Sequence, residues 1–443
     1  MSLPRYPKYK NSGVEWLGEV PNHWEVLSIK RLSPVQRGAS PRPIDDPKYF
    51  DDEGEYAWVR IADVSASNGV LTETTQRLSE RGSNLSVKLS PGELFVSIAG
   101  TVGKPCISAI KACIHDGFVY FPNLKIPPHF LFRIFEAGLC YSGLGKWGTQ
   151  LNLNTDTIGS IKIALPPADE LTLVLDFINR EAGKIDALIA GQEKLLTLLV
   201  EKRQATISHA VTRGLDPDAP VKDCGIAWLG KVPPHWEVVG LTKYLESVVD
   251  YRGRTPTKVD DGVFLVTAKN IRNGVIDYEA SQEYIDRAEY DEVMRRGLPL
   301  KGDVLFTTEA PLGQVAIVDR EDIALAQRII KFRTVPERLE SSYLKTWIMG
   351  SFCQFNLEQL ATGSTALGIK GSKVGQVRLC LPPLDEQRAI VRHINAETRK
   401  LDTLKSEVEH AIELLKERRS ALIAAAVTGK IDVRNAVQQE LAA

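Results

Sequence analysis

Arginines lie in two short loops rich in glycine and proline, QRGASPRP at residues 36–43 and RGRTPTK at residues 252–258. Glycine and proline together set the conformation of such loops, so side chains there are held at defined positions. A guanidinium in that setting can bind phosphate oxygens or the O6 and N7 atoms of guanine. The predicted contact residues in these loops are Arg37, Arg42, Arg252 and Arg254.

A second group of polar residues lies further along the second half of the chain. Lys269 and Arg272 flank an Asn-Gly pair, and Gln327 and Arg328 occur in ALAQRIIKF, which aligns with CIHDGFVYF in the first half. Glutamine pairs well with adenine, and arginine pairs well with guanine. Each of these signals is weak alone, because an exposed charged side chain on a loop is usually only solvated.

Small hydroxyl residues beside glycine form a third group of candidates. ATGSTALGIKGSK at 361–373 parallels WGTQLNLN at 147–154. Such residues suit contact between backbone amides and phosphate. The candidates in these two segments are Thr149, Gln150, Ser364, Thr365, Lys370 and Lys373.

Catalytic motifs are missing from the same sequence. The Pro-Pro pairs read IPPH, LPPA, VPPH and LPPL, so none matches the (N/D)PP(Y/F/W) loop of an amino-methyltransferase. GTVGK at 100–104 has the wrong spacing for a phosphate-binding Walker A loop, and no HExxH zinc motif occurs. The six cysteines form no CxxC pair, so we expect no metal site. These absences predict a protein that binds rather than catalyses, with no catalytic residue of its own.

The chain is internally duplicated. VEWLGEVPNHWEV at 14–26 returns as IAWLGKVPPHWEV at 226–238. A longer segment, 165–216, aligns without a gap with 381–432 at an offset of 216 residues. Between these shared segments the two halves diverge in side chains and in loop lengths. Two copies of this length indicate two domain-sized repeats rather than a solenoid.

The shared segments after each Pro-Pro pair are predicted to be long helices. Acidic residues follow the prolines, as is favourable at a helix N-terminus, and apolar residues then recur every seven positions. Each helix can run to Thr212 or Thr428, just before Gly214 or Gly429, a length of about 65 Å at 1.5 Å per residue. The predicted apolar seam consists of Ile178, Ile185, Leu188, Leu195, Leu199, Ile394, Leu401, Leu404, Val408, Leu415 and Leu422.

Matched stripes in one chain predict that the two helices pack on each other as a coiled coil, with polar Gln192 and Thr206 helping to fix the register. The alternative is that each helix packs only on its own globular domain. The divergent modules carry short β-type runs, and residues 56–71 and 263–276 each contain an Asn-Gly pair that predicts a hairpin. Short helices are expected at 128–140 and 340–358.

The whole pattern resembles the specificity (S) subunit of type I restriction–modification systems. WLGEVPNHWE and WLGKVPPHWE look like the segment that precedes each target-recognition domain in that family, and LPPLDEQ followed by a heptad helix looks like its shared spacer. The first copy reads LPPADEL and lacks the glutamine present at Gln387.

The resemblance implies an α+β fold with two target-recognition domains, each a curved β-sheet with short helices. Two long antiparallel coiled-coil helices separate these domains, and the repeat gives an internal pseudo-twofold symmetry. The expected divisions are an N-terminal shared arm at 1–21, target-recognition domains at 22–164 and 239–380, spacer helices at 165–213 and 381–428, a linker with the second shared segment at 214–238, and a tail at 429–443.

The resemblance also implies function and partners. Each recognition domain would read one half of a bipartite, asymmetric site in double-stranded DNA. Two methyltransferase subunits would bring AdoMet, and two motor-nuclease subunits, which use ATP and magnesium, can join for cleavage. This chain itself would hold no cofactor.

The alternative function is that of a coiled-coil scaffold with two modules for ligands other than DNA. The formal net charge of −1 does not decide between the two, because binding depends on where charge lies. No apolar run reaches the roughly 18 residues of a membrane span, and the N-terminus lacks the apolar segment of a secretory signal. We therefore expect a cytoplasmic protein.

Overall fold

The structure is a computed structural model that describes residues 4–144, 153–252, 256–363 and 367–434. The chain divides into two compact units. Unit 1 comprises Met1–Glu193 with His410–Ala443, and unit 2 comprises Lys194–Glu409.

Unit 1 is built mainly from short strands. They are β1 (Tyr9–Asn11), β2 (Glu19–Pro21), β3 (Glu25–Ser28), β4 (Gln36–Arg37), β5 (Tyr56–Val59), β6 (Val70–Leu71), β7 (Gln76–Leu78), β8 (Val87–Leu89), β9 (Leu94–Ser97), β10 (Pro105–Ser108), β11 (Ala112–Ile114), β12 (Phe118–Tyr120) and β13 (Lys162–Leu165). Its helices are α1 (Ile61–Ala66), α2 (Glu80–Ser83), α3 (Pro128–Ala137), α4 (Thr155–Ser160) and the first part of α5 (Ala168–Arg213).

Unit 2 begins within α5, at Lys194, and is also built mainly from short strands. Its strands are β14 (Lys222–Asp223), β15 (Lys231–Val232), β16 (Glu237–Gly240), β17 (Leu245–Asp250), β18 (Lys258–Val259), β19 (Val263–Val266), β20 (Ile271–Arg272), β21 (Val275–Ile276), β22 (Tyr284–Ile285), β23 (Val304–Thr307), β24 (Val315–Ile317), β25 (Ile323–Leu325), β26 (Ile329–Thr334) and β27 (Arg378–Leu381). Its helices are α6 (Tyr290–Val293), α7 (Ser341–Met349), α8 (Ser351–Leu360) and the first part of α9 (Leu384–Val427), whose end belongs to unit 1.

The main strands of each unit form two sheets. Unit 1 has the strand orders β4-β12-β9-β10-β6 and β7-β5-β11-β8, and unit 2 has β17-β26-β23-β24 and β18-β22-β19-β25. In unit 1, Phe95 and Phe118 of the first sheet pack with Val59 and Ile114 of the second in one buried cluster. The α+β class is therefore confirmed, with two sheets in each module instead of the single curved sheet that we expected.

The two long helices begin and end where the sequence predicts. α5 starts directly after Pro166-Pro167, and α9 starts directly after Pro382-Pro383, because proline suits the beginning of a helix but not its interior. Gly214 and Gly429 follow the two helices with φ of 79° and 68°, the left-handed conformation that glycine adopts at the end of a helix.

The two Asn-Gly pairs have different structures. Asn273 and Gly274 have φ of 53° and 82° and join β20 to β21, so the predicted hairpin is confirmed in unit 2. The hairpin predicted over residues 56–71 is wrong, because α1 intervenes and β6 pairs in parallel with β10. The carboxylate of Asp63 accepts a hydrogen bond from the backbone N–H of Arg60 at 2.8 Å and stabilises the start of that helix.

The predicted short helices are present. α3 covers most of 128–140, and the segment 340–358 is divided into α7 and α8 at Gly350. In the part of the chain that the structure describes, no helix has the length and apolar character needed to span a membrane.

Candidate nucleic-acid interface

Strand pairing aligns the two modules residue by residue. β11 pairs in parallel with β5, and β25 pairs in parallel with β19. A loop of three residues then leads from β11 to β12 in unit 1 and from β25 to β26 in unit 2. Residues 115–117 and 326–328 are therefore equivalent, and Gln327 occupies the position of Asp116 in the first module.

The hairpin loops after β9 and β23 lie against this three-residue loop in the same way. The N–H of Ile98 donates to the carbonyl oxygen of Gly117 at 2.8 Å, and the N–H of Thr308 donates to that of Arg328 at 3.0 Å. Backbone hydrogen bonds do not depend on side-chain type, so this frame can hold different residues in its loops. Loops of this kind, carried on a rigid frame, are where binding residues concentrate.

In unit 2 the frame brings several predicted residues to one place. Lys269, Gln327 and Arg328 line a cavity of about 220 Å³ together with Lys258, which sequence analysis missed. Arg328 is exposed, and its Nε lies 2.9 Å from Oε1 of Glu309 in the hairpin loop. The carboxamide of Gln327 is half-buried, and no hydrogen bond to it is found within the described residues.

Arg252 lies at the end of β17, beside the same group of loops. Its Nε donates to Oδ2 of Asp250 at 2.8 Å, and this hydrogen bond raises the pKa of the guanidinium above its ordinary value. A Cβ built on Gly371 would lie 2.6 Å from Oδ2 of Asp250 and 2.7 Å from Nη2 of Arg252, so a larger residue at this position would displace the ion pair. Lys370, which directly precedes that glycine, is exposed.

Two further predicted cations of unit 2 also contact the backbone. Arg272 donates from Nη2 to the carbonyl oxygen of Lys269 at 3.1 Å, so these two residues lie together beside the Asn-Gly turn. Lys373 is half-buried, and its Nζ donates to the carbonyl oxygen of Leu360 at 3.1 Å. Lys373 is therefore held within the fold more than the other candidates are.

In unit 1 the predicted arginines gather around Asp116. Arg42 Nη2 lies 3.1 Å from Oδ2 of Asp116, Arg37 Nε donates to its carbonyl oxygen, and Ser40 Oγ donates to Oδ1 at 3.1 Å. Burial by itself would raise the pKa of Asp116, but the hydrogen bond from Ser40 and the positive charge of Arg42 bring it below its ordinary value. The site therefore presents an ionised carboxylate between two guanidinium groups.

His115, next to Asp116, is part of the core of unit 1. Its ring lies against Phe118 and Trp58, with centroids 4.6 and 5.9 Å away, and Nδ1 accepts a hydrogen bond from the N–H of Gly117 at 2.8 Å. Burial lowers the pKa of His115, which favours the neutral imidazole. The remaining predicted contact residues, Thr149, Gln150, Arg254, Ser364 and Thr365, lie outside the described residues.

Comparison with known proteins gives a consistent result. Residues 245–414 match the family model described as the type I restriction modification DNA specificity domain. The type I restriction enzyme MjaVIII specificity subunit of Methanocaldococcus jannaschii is 22% identical over 439 residues, which cover 94% of this chain and 95% of that protein. Over nearly its whole length the chain is therefore similar to specificity subunits of type I restriction–modification systems.

Solved structures share the fold of this chain. A chain from a type I restriction–modification system superposes with a TM-score of 0.61 at 17% identity, covering 92% of this chain and 98% of the other. The HsdS subunit from Thermoanaerobacter tengcongensis gives a TM-score of 0.51 at 15% identity, covering 93% and 98%. Both support the architecture of two domains with long coiled-coil helices.

The two long helices α5 and α9, the predicted spacer helices, bury much of the predicted seam. The buried members are Ile178, Ile185, Leu199, Ile394 and Val408. The half-buried members are Leu195, Leu401, Leu415 and Leu422.

Two predicted seam residues are wrong, because Leu188 and Leu404 are 56% and 40% exposed. Buried residues lie four positions after two members of the first stripe: Ala182 follows Ile178, and Ile412 follows Val408. In a heptad the second apolar position can lie three or four residues after the first. The pairs Leu188-Ile189 and Leu195-Leu196 satisfy both spacings.

An ion pair joins the two spacer helices within each unit. In unit 1, Nε of Arg419 on α9 lies 2.7 Å from Oδ1 of Asp186 on α5. In unit 2, Arg203 on α5 contacts Asp402 on α9. The offset of 216 residues that relates the two sequence repeats maps Asp186 to Asp402 and Arg203 to Arg419, so the same contact is made once in each unit.

The shared segments that contain His23-Trp24 and His235-Trp236 contact the first turn of each spacer helix through a glutamate of that helix. In unit 1, Glu170 accepts hydrogen bonds from Tyr6 Oη at 2.6 Å and Trp24 Nε1 at 3.0 Å, and His23 Nε2 lies 2.7 Å from its other oxygen. In unit 2, Glu386 accepts a hydrogen bond from Trp236 Nε1 at 3.1 Å.

His235 Nε2 lies 2.8 Å from the same oxygen of Glu386. The two histidines therefore have a structural role at the start of the long helices. The glutamates that hold them were not predicted, although both fall in the aligned LPPxDE segments.

Proposed function

We propose that this chain is the DNA-reading subunit of a type I restriction–modification complex, with one recognition module for each half of a bipartite, asymmetric site. The observation that carries this proposal is the repeated loop frame. In both units the same loops lie together on the same strand pairing, yet they present different side chains. Two modules with the same backbone arrangement but different loop side chains suit a DNA site whose two halves differ in sequence.

The proposed contacts follow from the chemistry of the loops. In unit 2, Gln327 suits the N6 and N7 atoms of adenine, while Arg328 suits guanine or a phosphate. Lys269 and Lys258 line the same cavity as these two residues and would serve, with Arg252 after β17, as cations for the DNA backbone. Phosphate contacts of this kind would position the module, and the two base-reading side chains would supply discrimination.

In unit 1 the ionised carboxylate of Asp116 suits the N4 amino group of cytosine, which donates in the major groove. Arg37 and Arg42 on either side would neutralise its repulsion from the DNA phosphates. Sequence analysis missed Asp116 as a contact residue, although it aligns with Gln327 and could have been found from that alignment.

The organisation of the chain follows from the same proposal. The recognition modules are residues 22–164 and 239–380, and the spacer helices are 165–213 and 381–428. The arm at 1–21, the linker at 214–238 and the tail at 429–443 complete the shared parts. We infer that two methyltransferase subunits bind these shared parts and supply AdoMet, and that motor-nuclease subunits with ATP and magnesium join where the complex also cleaves DNA.

The decisive experiment exchanges one module. Residues 239–380 are replaced by the corresponding module of another specificity subunit, and methylated adenines are mapped across the genome of cells with the parental or the chimaeric chain. We expect one half of the methylated site to change and the other half to stay the same. Exchange of residues 22–164 is the matched control and should change only the opposite half. A chimaera that alters both halves together would contradict the proposal.

A second measurement separates DNA recognition from a scaffold role. Binding of the assembled complex to duplexes with and without the mapped site is measured between 50 and 200 mM salt. DNA recognition predicts an affinity that falls steeply with salt and a preference for the mapped site that persists. Binding that does not depend on salt or on sequence would assign the modules to other ligands.

A further inference from the structure

The cavity of about 220 Å³ in unit 2 has walls that are largely apolar. Its lining includes Leu265, Ala268, Ala310 and Ala326, with Gln327 at one side. It opens among the cationic loops described above, with Lys258, Lys269 and Arg328 also in its lining. An apolar recess at this position has no obvious use in contacting phosphates, which require polar partners.

The equivalent volume in unit 1 is filled by larger side chains. Strand pairing makes Trp58 equivalent to Leu265 and places His115 at the position of Ala326. The next residues along the chain place Ile61 at the position of Ala268.

In unit 1 these larger groups pack closely. Trp58 is 1% exposed and lies against His115, with ring centroids 5.9 Å apart. A Cβ built on Gly100 would lie 2.8 Å from Cγ2 of Ile61. Within the described residues, the recess of unit 2 therefore has Leu, Ala and Ala at the positions where unit 1 has Trp, Ile and His.

We propose that this cavity receives the 5-methyl group of a thymine in the half-site that unit 2 reads, an inference that rests on the proposed function. The major-groove edge of a base pair that contains thymine presents one apolar group, this methyl, and alanine side chains commonly contact it. Gln327 beside the recess would bind an adenine at the same step. Together they would read an A·T pair, or two neighbouring pairs, from both strands.

The occupant is a methyl group rather than an entire unstacked base. An unstacked base is usually held by stacking on aromatic or other flat side chains. The lining of this cavity contains no aromatic ring. Lys258 and Glu283 also form an ion pair of 2.7 Å at the cavity, which takes up polar groups that a Watson–Crick edge would need.

The test removes only the methyl group. Once the methylated site is mapped, each thymine of the unit 2 half-site is replaced in turn by uracil, and binding by the complex of this chain with its methyltransferase partner is measured. We expect one position at which uracil weakens binding about fourfold, as burial of one methyl group predicts. The other thymines of that half-site should show much smaller changes.

Two variants borrow the residues of unit 1 to fill the cavity. In A326H and A268I the difference between thymine and uracil at the sensitive position should disappear, while the half-site read by unit 1 keeps its profile. 2-Aminopurine placed beside the sensitive thymine, at a base other than the adenine that the partner methylates, should stay quenched on binding, since the proposal leaves this thymine in the stack. A large rise in its fluorescence would overturn the proposal in favour of an unstacked base.

The uracil scan with the unmodified chain decides the proposal even if neither variant folds. If the complex binds the mapped site and every uracil substitution is neutral, the cavity proposal alone is wrong. If the complex shows no sequence-dependent binding to the mapped duplex, the proposed function is wrong as well.

Discussion

Glu170 and Glu386 accept equivalent hydrogen bonds at the starts of the two spacer helices, so the contribution of these bonds to stability can be tested twice in one molecule. The side chain of Glu170 is 8% exposed, and that of Glu386 is 28% exposed. Glu170→Ala leaves two buried donors without a partner, Tyr6 Oη and Trp24 Nε1, whose residues are 4% and 0% exposed. Glu386→Ala leaves one such donor, Trp236 Nε1.

The magnitudes follow from the number of donors left unpaired. A buried polar group without a partner costs about 1–3 kcal/mol. We therefore expect Glu170→Ala to destabilise unit 1 by about 2–6 kcal/mol and Glu386→Ala to destabilise unit 2 by about 1–3 kcal/mol. The two histidines are largely exposed and can be hydrated by water instead, so they add little to either value.

The assay must resolve the two units, because a chain with two units does not unfold in a single transition. Hydrogen exchange measured by mass spectrometry reports the free energy of local opening for each peptide. Exchange of Lys162–Leu165 should accelerate roughly 30- to 25,000-fold in Glu170→Ala, since each 1.36 kcal/mol is a factor of ten. Exchange of Arg378–Leu381 should accelerate about 5- to 160-fold in Glu386→Ala.

The matched control is Asp169→Ala, which removes an exposed carboxylate from the same first helical turn and should cost only about 0.3–1 kcal/mol. Glu170→Gln keeps an acceptor oxygen and should recover part of the loss. Equal destabilisation by the two alanine variants, or acceleration confined to the opposite unit, would refute the reasoning from buried donors.

Three further predictions concern the proposed function. Arg328→Ala should abolish roughly 1–3 kcal/mol of discrimination between bases at one position of the site. Arg252→Ala should weaken binding to all sequences and reduce the slope of log affinity against log salt concentration by about one. Binding isotherms at several salt concentrations check both, and an unchanged isotherm would show that the residue has only a structural role. The purified chain should have no methyltransferase, nuclease or ATPase activity, and AdoMet turnover by the chain alone would contradict this. One heptad added to each spacer helix, near Leu195 and near Ala411, should lengthen the unread gap between the half-sites by up to about three base pairs. Seven residues add about 10 Å of helix, and each base pair rises about 3.4 Å. Methylation mapped at the original gap would show that the helices do not set the spacing.

The elements that the sequence predicted well are those with local or periodic signals. Both spacer helices follow a Pro-Pro pair and end before glycine, so their bounds need no information from elsewhere in the fold. The second stripe of the seam was assigned three residues from the first, at Leu188 and Leu404, which are exposed. The residue after Leu188 is the apolar Ile189, so period alone cannot separate these two positions. The residue after Leu404 is the exposed Lys405, so the sequence offers no apolar alternative there.

The candidate site was predicted less completely, for a physical reason. Arg42 and Asp116 are separated by 74 residues, and Arg328 and Glu309 by 19, so their pairing depends on strand register rather than on local sequence. Cations in loops carry a signal in their own sequence, namely glycine and proline around them. Asp116 and Glu309 also have glycine or proline nearby, but nothing in the local sequence shows that they pair with these cations, and therefore they were missed.

The duplication separates residues that can vary from residues that cannot. Glu170 and Asp186 each bind a partner that repeats with them, so a change in one copy would leave a partner unpaired. The loop residues 115–117 and 326–328 are held through backbone hydrogen bonds, which tolerate any side chain that fits. One loop can therefore carry His and Asp over a filled core while the other carries Ala and Gln over an open recess. A dimer of identical chains would have to change both loops together and would read two equal half-sites. A duplicated single chain lets each loop change alone, and this is the property that an asymmetric site requires.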